Sequence, residues 1–121
     1  MNDVYNFCKV DKTEFIVGGV ICRSNVADLD GDITTEKETW RALKNFMLGR
    51  KNIKINHRGQ TKNIPVVEAY FSEQKHKKGN GYLEKGDWYL SLFMGDELEV
   101  WQDILSGDLQ SFSMAGRADK L

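Results

Sequence analysis

The sequence predicts an α+β fold: a mainly antiparallel β-barrel or strongly bent sheet with about two flanking helices. Three observations lead there. Several segments rich in β-branched and aromatic residues alternate apolar and polar positions; two others carry helical spacing behind capping residues; and a single proline, with no internal repeat or low-complexity tract, leaves no obvious linker. The 121 residues are most simply one domain, 1–121, large enough to bury roughly two thirds of the surface its unfolded chain exposes.

Residues 4–10 and 13–24 read as a β-hairpin with Asp11-Lys12 as its two-residue turn. Thr35 followed by Glu38 is a capping box, in which each side chain satisfies a backbone N–H that the helix start leaves unpaired. Trp40, Leu43, Phe46 and Met47 then recur at helical spacing until Gly49 offers a left-handed stop, which predicts a helix over residues 35–48. Residues 53–57, 65–72 and 82–94 read as strands: Val67, Ala69 and Phe71 alternate with Val66, Glu68 and Tyr70, while Trp88, Leu90 and Leu92 share one face. Residues 74–81 read as the exposed loop between the last two strands. Asp96 with Glu99 repeats the capping box, and Leu98, Trp101, Ile104 and Leu105 mark a second helix that ends at Gly107. A final strand is expected over residues 110–118.

With 17 basic and 18 acidic residues the net charge is -1, so no global field grips a phosphate backbone, and nucleic acid is not an expected partner. Cys8 and Cys22 lie in apolar strand-like runs without CxxC spacing and read as buried, reduced thiols of a cytoplasmic protein rather than as a disulfide. The first residues, Met1-Asn2-Asp3, are acidic and no apolar stretch nears the roughly 18 residues of a span, so neither a signal peptide nor a membrane segment is expected.

Two separated residues carry the candidate chemistry. His57 is in phase with Ile53 and Ile55, as either a core histidine satisfied by a backbone partner or a general base, imidazole being able to take a hydroxyl proton near neutral pH. Ser113 is out of phase with Phe112 and Met114, as either a solvated strand serine or a nucleophile, and Ser111 shares its face as a competitor. Gly116 favours Ser113, because a backbone without a Cβ lets a substrate carbonyl approach nearby amides. The run is not a GxSxG elbow, since Gln110 or Ser111 stands at the first glycine. Asp28, Asp30 and Asp32 imitate the start of an EF-hand, but Ile33 and Thr39 occupy the positions of its glycine and bidentate glutamate, so an acidic turn is the better reading. His76 falls in a charge run typical of a solvated loop. The two histidines and two cysteines lack zinc-like spacing, and no metal or cofactor is assigned.

Taken in order, Val17-Gly18-Gly19-Val20-Ile21, Asp28-Leu29-Asp30-Gly31-Asp32-Ile33, the helix with Trp40 and Phe46, Asn56-His57, Val66-Val67-Glu68-Ala69-Tyr70 and Phe112-Ser113-Met114-Ala115-Gly116-Arg117-Ala118 resemble the XkdF-like phage serine protease family. That family is related to the prohead maturation proteases of tailed phages. The resemblance runs over nearly the whole chain from about Thr13. It implies a herpesvirus assemblin type of fold, a β-barrel surrounded by helices. It also implies endopeptidase activity on phage scaffold and capsid proteins, in the host cytoplasm and within the procapsid, and it allows a homodimer. His57 matches the family's histidine and Ser113 its serine. In the herpesvirus relatives a second histidine follows the serine; none follows Ser113, so a carboxylate orients His57 or the two act as a dyad. Glu68 matches an acidic position in the next strand and is the first choice, with Asp30 and Asp32 of the acidic turn as alternatives. Backbone amides near Gly116 and Arg117 are the expected oxyanion donors. The chain ends eight residues after Ser113, where relatives often continue, which points to a trimmed chain, an autoprocessed core or a short variant. The competing class is a catalytically inactive protease-fold module with a structural or scaffold role in head assembly.

Overall fold

The computed structural model describes residues 5–49, 52–57 and 59–111, with only the backbone of 52, 54, 56 and 57. In chain order the elements are β1 (Phe7–Asp11), β2 (Ile16–Cys22), α1 (Glu36–Gly49), β3 (Asn52–His57), β4 (Gln60–Phe71), β5 (His76–Lys78), β6 (Gly81–Leu83), β7 (Trp88–Phe93) and α2 (Leu98–Ser106). Five strands form one antiparallel sheet in the order β1-β2-β7-β4-β3, and β5 pairs with β6 separately. The α+β class is as expected, but the sheet does not close into a barrel among the described residues. Its edges, β1 and β3, remain apart in the pairing order.

Both helices cover one face. Trp88, Leu90 and Leu92 alternate toward it and meet Leu43 and Phe46 from α1 and Val100, Trp101 and Ile104 from α2, together with Ile53, Ile55 and Ile64. The Phe46 ring lies 5.7 Å from that of Trp88, and Phe15 lies 5.5 Å from Trp101. The opposite face holds a smaller cluster of Val20, Leu83 and Tyr89 with Tyr5, Cys8 and Tyr70.

The first capping box forms as expected: Glu38 N–H donates to Thr35 Oγ1 at 3.1 Å, and Thr35 N–H donates back to Glu38 Oε1 at 3.0 Å. That backbone bond holds the Glu38 carboxyl below its usual range. The second box does not form. Glu97 rather than Asp96 is the cap residue of α2, its side chain makes no capping bond, and the helix still ends at Gly107, whose φ of 87° suits a residue without a Cβ.

Three strand expectations are corrected. The first turn spans residues 12–15 rather than two, because the Asp11 carboxylate accepts the N–H groups of Thr13 and Glu14 at 3.0 and 3.1 Å. The expected loop at 74–81 contains the β5–β6 hairpin, and the expected strand 82–94 breaks around Asp87, whose carboxylate accepts the Glu84 N–H at 2.7 Å. In β4 a bulge between Val66 and Glu68 reverses the side-chain phase, so Val66 packs on the core with Ala69 and Phe71, whereas Val67 is 53% exposed. The final strand is represented by an antiparallel bridge between Ser111 and Asn6, and residues 112–118 lie outside the described residues. Neither cysteine forms a disulfide; Cys22 is buried and Cys8 only half-buried, with burial raising the Cys8 thiol pKa.

Candidate active site

His57 ends β3 directly opposite Gln60, so β3 and β4 form a hairpin joined by residues 58–59, with Gly59 at φ 80°. Along this ladder Ile53 faces Ile64, Ile55 faces Lys62 and His57 faces Gln60. Directly opposed residues share a face, so the three rungs grade outward from the core: Ile64 is buried, Lys62 half-buried and Gln60 exposed. His57 is the last residue of this ladder, paired through its backbone with exposed Gln60. Ser111 is half-buried and bridged to Asn6 at the start of β1, where Phe7 N–H also donates to Gln110 O at 2.8 Å. Ser113, Gly116 and Arg117 lie outside the described residues.

The register does not bring Glu68 to His57. β4 is indeed the neighbour of β3, but Glu68 follows Gln60 by eight residues, roughly 26 Å of extended strand, and pairs with Ser91 of β7. Its carboxylate is also engaged on the face away from both helices. Lys78 Nζ donates to Oε2 at 3.0 Å, and Ser91 Oγ donates to Oε1 at 3.2 Å. Ser91 Oγ lies 2.7 Å from the Tyr89 hydroxyl, so with one proton per hydroxyl the chain runs from Tyr89 through Ser91 to Glu68. The Lys78 ammonium sits 4.8 and 5.2 Å from the Tyr89 and Tyr70 ring centroids. Burial opposes the Lys78 charge, but the bond and charge of Glu68 outweigh it and the pKa rises, which makes this lysine a structural cation rather than a base. Burial likewise drives the Tyr89 phenol upward. Gly18 makes room for this arrangement, since a Cβ there would overlap the Tyr89 hydroxyl.

His76, expected in a solvated loop, instead opens β5 and joins this face. Its Nδ1 lies 3.0 Å from Gln74 O and its Nε2 3.1 Å from the Tyr70 hydroxyl, so Nδ1–H donates to the carbonyl and, when the ring is neutral, Tyr70 donates to Nε2. The acidic turn is a hydrogen-bonded loop: Asp28 Oδ1 accepts the N–H groups of Asp30 and Asp32, both at 2.9 Å. The three carboxylates have oxygens within 4.8 Å of one another, but Asp30 and Asp32 are exposed and Asp28 caps the turn.

One ion pair escapes sequence pattern. Glu97, free of its expected helix, reaches β4, where its Oε1 lies 3.5 Å from Lys62 Nζ; both side chains are largely covered, at 20% and 26% exposure. Capping-box spacing assigns the helix start to Asp96 and leaves Glu97 without a role, so only the cap geometry and the β3–β4 register reveal the pair.

Residues 3–121 match the family model described as "Putative phage serine protease XkdF". The chain belongs to this family. It is 34% identical over 104 residues to the phage-like element PBSX protein XkdF of Bacillus subtilis (strain 168), covering 86% of this chain and 37% of that relative. It is 28% identical over 106 residues to the uncharacterized protein YqbD of the same organism, covering 88% and 32%. The chain thus spans about a third of the length of these curated relatives. No solved structure matches it. Among the described residues no helix is long and apolar enough to cross a membrane.

Proposed function

We propose that this chain is a serine endopeptidase of phage head maturation, with Ser113 as nucleophile and His57 as general base. The observation that carries this reading is the family match, which spans both residues. Neutral His57 takes the Ser113 hydroxyl proton as Oγ attacks the scissile carbonyl, and amides near Gly116 and Arg117 bind the oxyanion. The imidazolium then protonates the leaving amine, and water releases the acyl group by the same route in reverse. The place of His57 at the end of β3, paired with exposed Gln60, supports the reading, since a general base has to be reached by substrate. Register and bonding speak against Glu68 as the orienting group.

The substrates proposed are scaffold and capsid proteins, met in the bacterial cytoplasm and inside the procapsid, and a prohead-protease type of fold is the corresponding architecture. Co-expression of the full chain with its scaffold and capsid partners tests this. Cleavage by the wild type that is lost in both Ser113→Ala and His57→Ala, with melting temperatures retained, is the expected result. A wild type that leaves its assembly partners intact identifies a protease-fold module with a structural role instead, and cleavage surviving Ser113→Ala moves the nucleophile to Ser111.

A further inference from the structure

We propose that the open edge of β4 beside α1 docks an extended, acidic peptide segment of a partner protein as an added strand. The site stands apart from the proposed catalytic residues, since Ala69 follows the Gln60 rung by nine residues, roughly 30 Å of extended strand. β4 has 12 residues to the 6 of β3, which pairs with Gln60 to Pro65 and ends there, whereas β4 runs on to Phe71. From Val66 onward β7 lies on one side, and among the described residues no strand pairs with the other. Ser72 N–H donates to Asp87 O at 2.8 Å, so Ser72 and, by alternation, Tyr70 turn their backbone groups to the β7 side. Ala69 and Phe71 then present theirs to the open edge, an unfinished ladder that a further strand completes.

A groove runs along that edge. Its cavity, about 600 Å³, is lined by the consecutive residues Ala69, Tyr70 and Phe71, although Tyr70 packs on one face of the sheet and its two neighbours on the other; a space that meets all three reaches the strand edge itself. The other wall is α1. Trp40, 50% exposed, sets its ring edge-on to Phe71 at 6.2 Å, and Met47, 38% exposed, lines the groove two turns farther along. Such an apolar wall suits the alternate side chains of a strand, which all point to one side. Charge selects the rest of the occupant. Lys37, Arg41 and Lys44 recur at i, i+4 and i+7 on the exposed side of α1, and Lys44 lines the groove itself. The acid in their midst, Glu38, is engaged by the N–H and hydroxyl of Thr35 at the helix start, and Glu73 puts an acid only past the end of β4, so the long side of the groove is cationic. A helix could cover the apolar wall but would leave the Ala69 and Phe71 backbone groups unpaired; an extended segment with carboxylates on its outer side satisfies both.

Amide NMR of the full chain, titrated with a short designed peptide of alternating valine and glutamate, tests the docking site. The Ala69 and Phe71 amides are expected to shift and to gain protection from hydrogen exchange, and a valine–lysine peptide should bind about tenfold more weakly or worse at low salt. Lys44→Glu and Met47→Asp, both at exposed positions, should each weaken the valine–glutamate peptide by about tenfold or more while the melting temperature is retained. The backbone part of the claim is read from the peptide alone: N-methylation of one of its two alternating sets of amides should abolish binding and of the other should leave it, because only one set faces β4. Absence of shifts at millimolar peptide, equal binding of the two peptides, or an equal response to both methylation sets would overturn the proposal. So would a dimer in sedimentation that Met47→Asp dissociates, which assigns the groove to a second copy. Shifts confined to α1, without protection at Ala69 and Phe71, would overturn it as well and assign the groove to a helix.

Discussion

The two halves of β4 meet different neighbours and hold different carboxylates. Before the bulge, Gln60 to Val66 pair mostly with β3 and carry Lys62, bound to Glu97 from α2. After it, Glu68 to Phe71 pair with β7, and Glu68 is bound into the hydroxyl and lysine cluster of Tyr89, Ser91 and Lys78. The first half faces the helices and ends at the rung it shares with His57; in the second, Glu68 and Tyr70 turn to the other side of the sheet. One extra residue produces this division, since a single-residue phase change sends every later side chain to the opposite face. Adjacency of strands is therefore not adjacency of side chains.

The largest expected break of this comparison is in the core. Ile64 is fully buried on the first half, so Ile64→Ala should cost about 2–5 kcal/mol in urea denaturation. Val67, three residues on and 53% exposed, should lose no more than about 0.5 kcal/mol as Val67→Ala. Equal losses would mean that the bulge lies elsewhere.

A second test addresses the end of the other half. Asp87 is 1% exposed, its Oδ1 makes no hydrogen bond among the described residues, and its Oδ2 lies 3.7 Å from Arg23. Burial raises its pKa above 3.8 despite the Glu84 N–H and the Arg23 charge. A raised carboxyl pKa means that the folded state favours the proton: this stabilising contribution is complete below the unfolded value and is lost as pH rises through the folded one. Thermal melts from acid to neutral pH should show the wild type losing stability over that window relative to Asp87→Asn, which has no proton to release. Parallel curves would contradict the assignment.

The smallest effect belongs to Glu68. Its ion pair with Lys78 is part-exposed, so a double-mutant cycle of Glu68→Gln and Lys78→Met should give a coupling under about 1 kcal/mol, with turnover unchanged. Loss of cleavage in Glu68→Gln would return it to the site.

Much of this was legible from the chain. The Thr35 and Glu38 box, the spacing of Trp40, Leu43 and Phe46, and the Trp88, Leu90 and Leu92 alternation are local signals, and local physics satisfies them. What escaped depends on partners distant in sequence. Alternation grouped Val67 with Ala69 because a bulge shows no mark in β-branched residues, and Asp96 took the cap because the competing attraction of Lys62 for Glu97 spans 35 positions. His76 looked solvated among lysines, yet Tyr70, six residues earlier, gives its ring a hydroxyl partner. Of the candidate pair, His57 was readable as a strand-end residue, and the ladder adds that Glu68 lies far along β4 from it.

The central claim, a nucleophile at Ser113 activated by His57, is tested most directly by labelling the full chain with a fluorophosphonate, which reacts with activated serines, and mapping the adduct by peptide mass spectrometry. The account predicts one adduct, on Ser113, formed faster as pH rises through the imidazole range and abolished in His57→Ala. An adduct on Ser111, or labelling of Ser113 that is indifferent to His57→Ala, would contradict it.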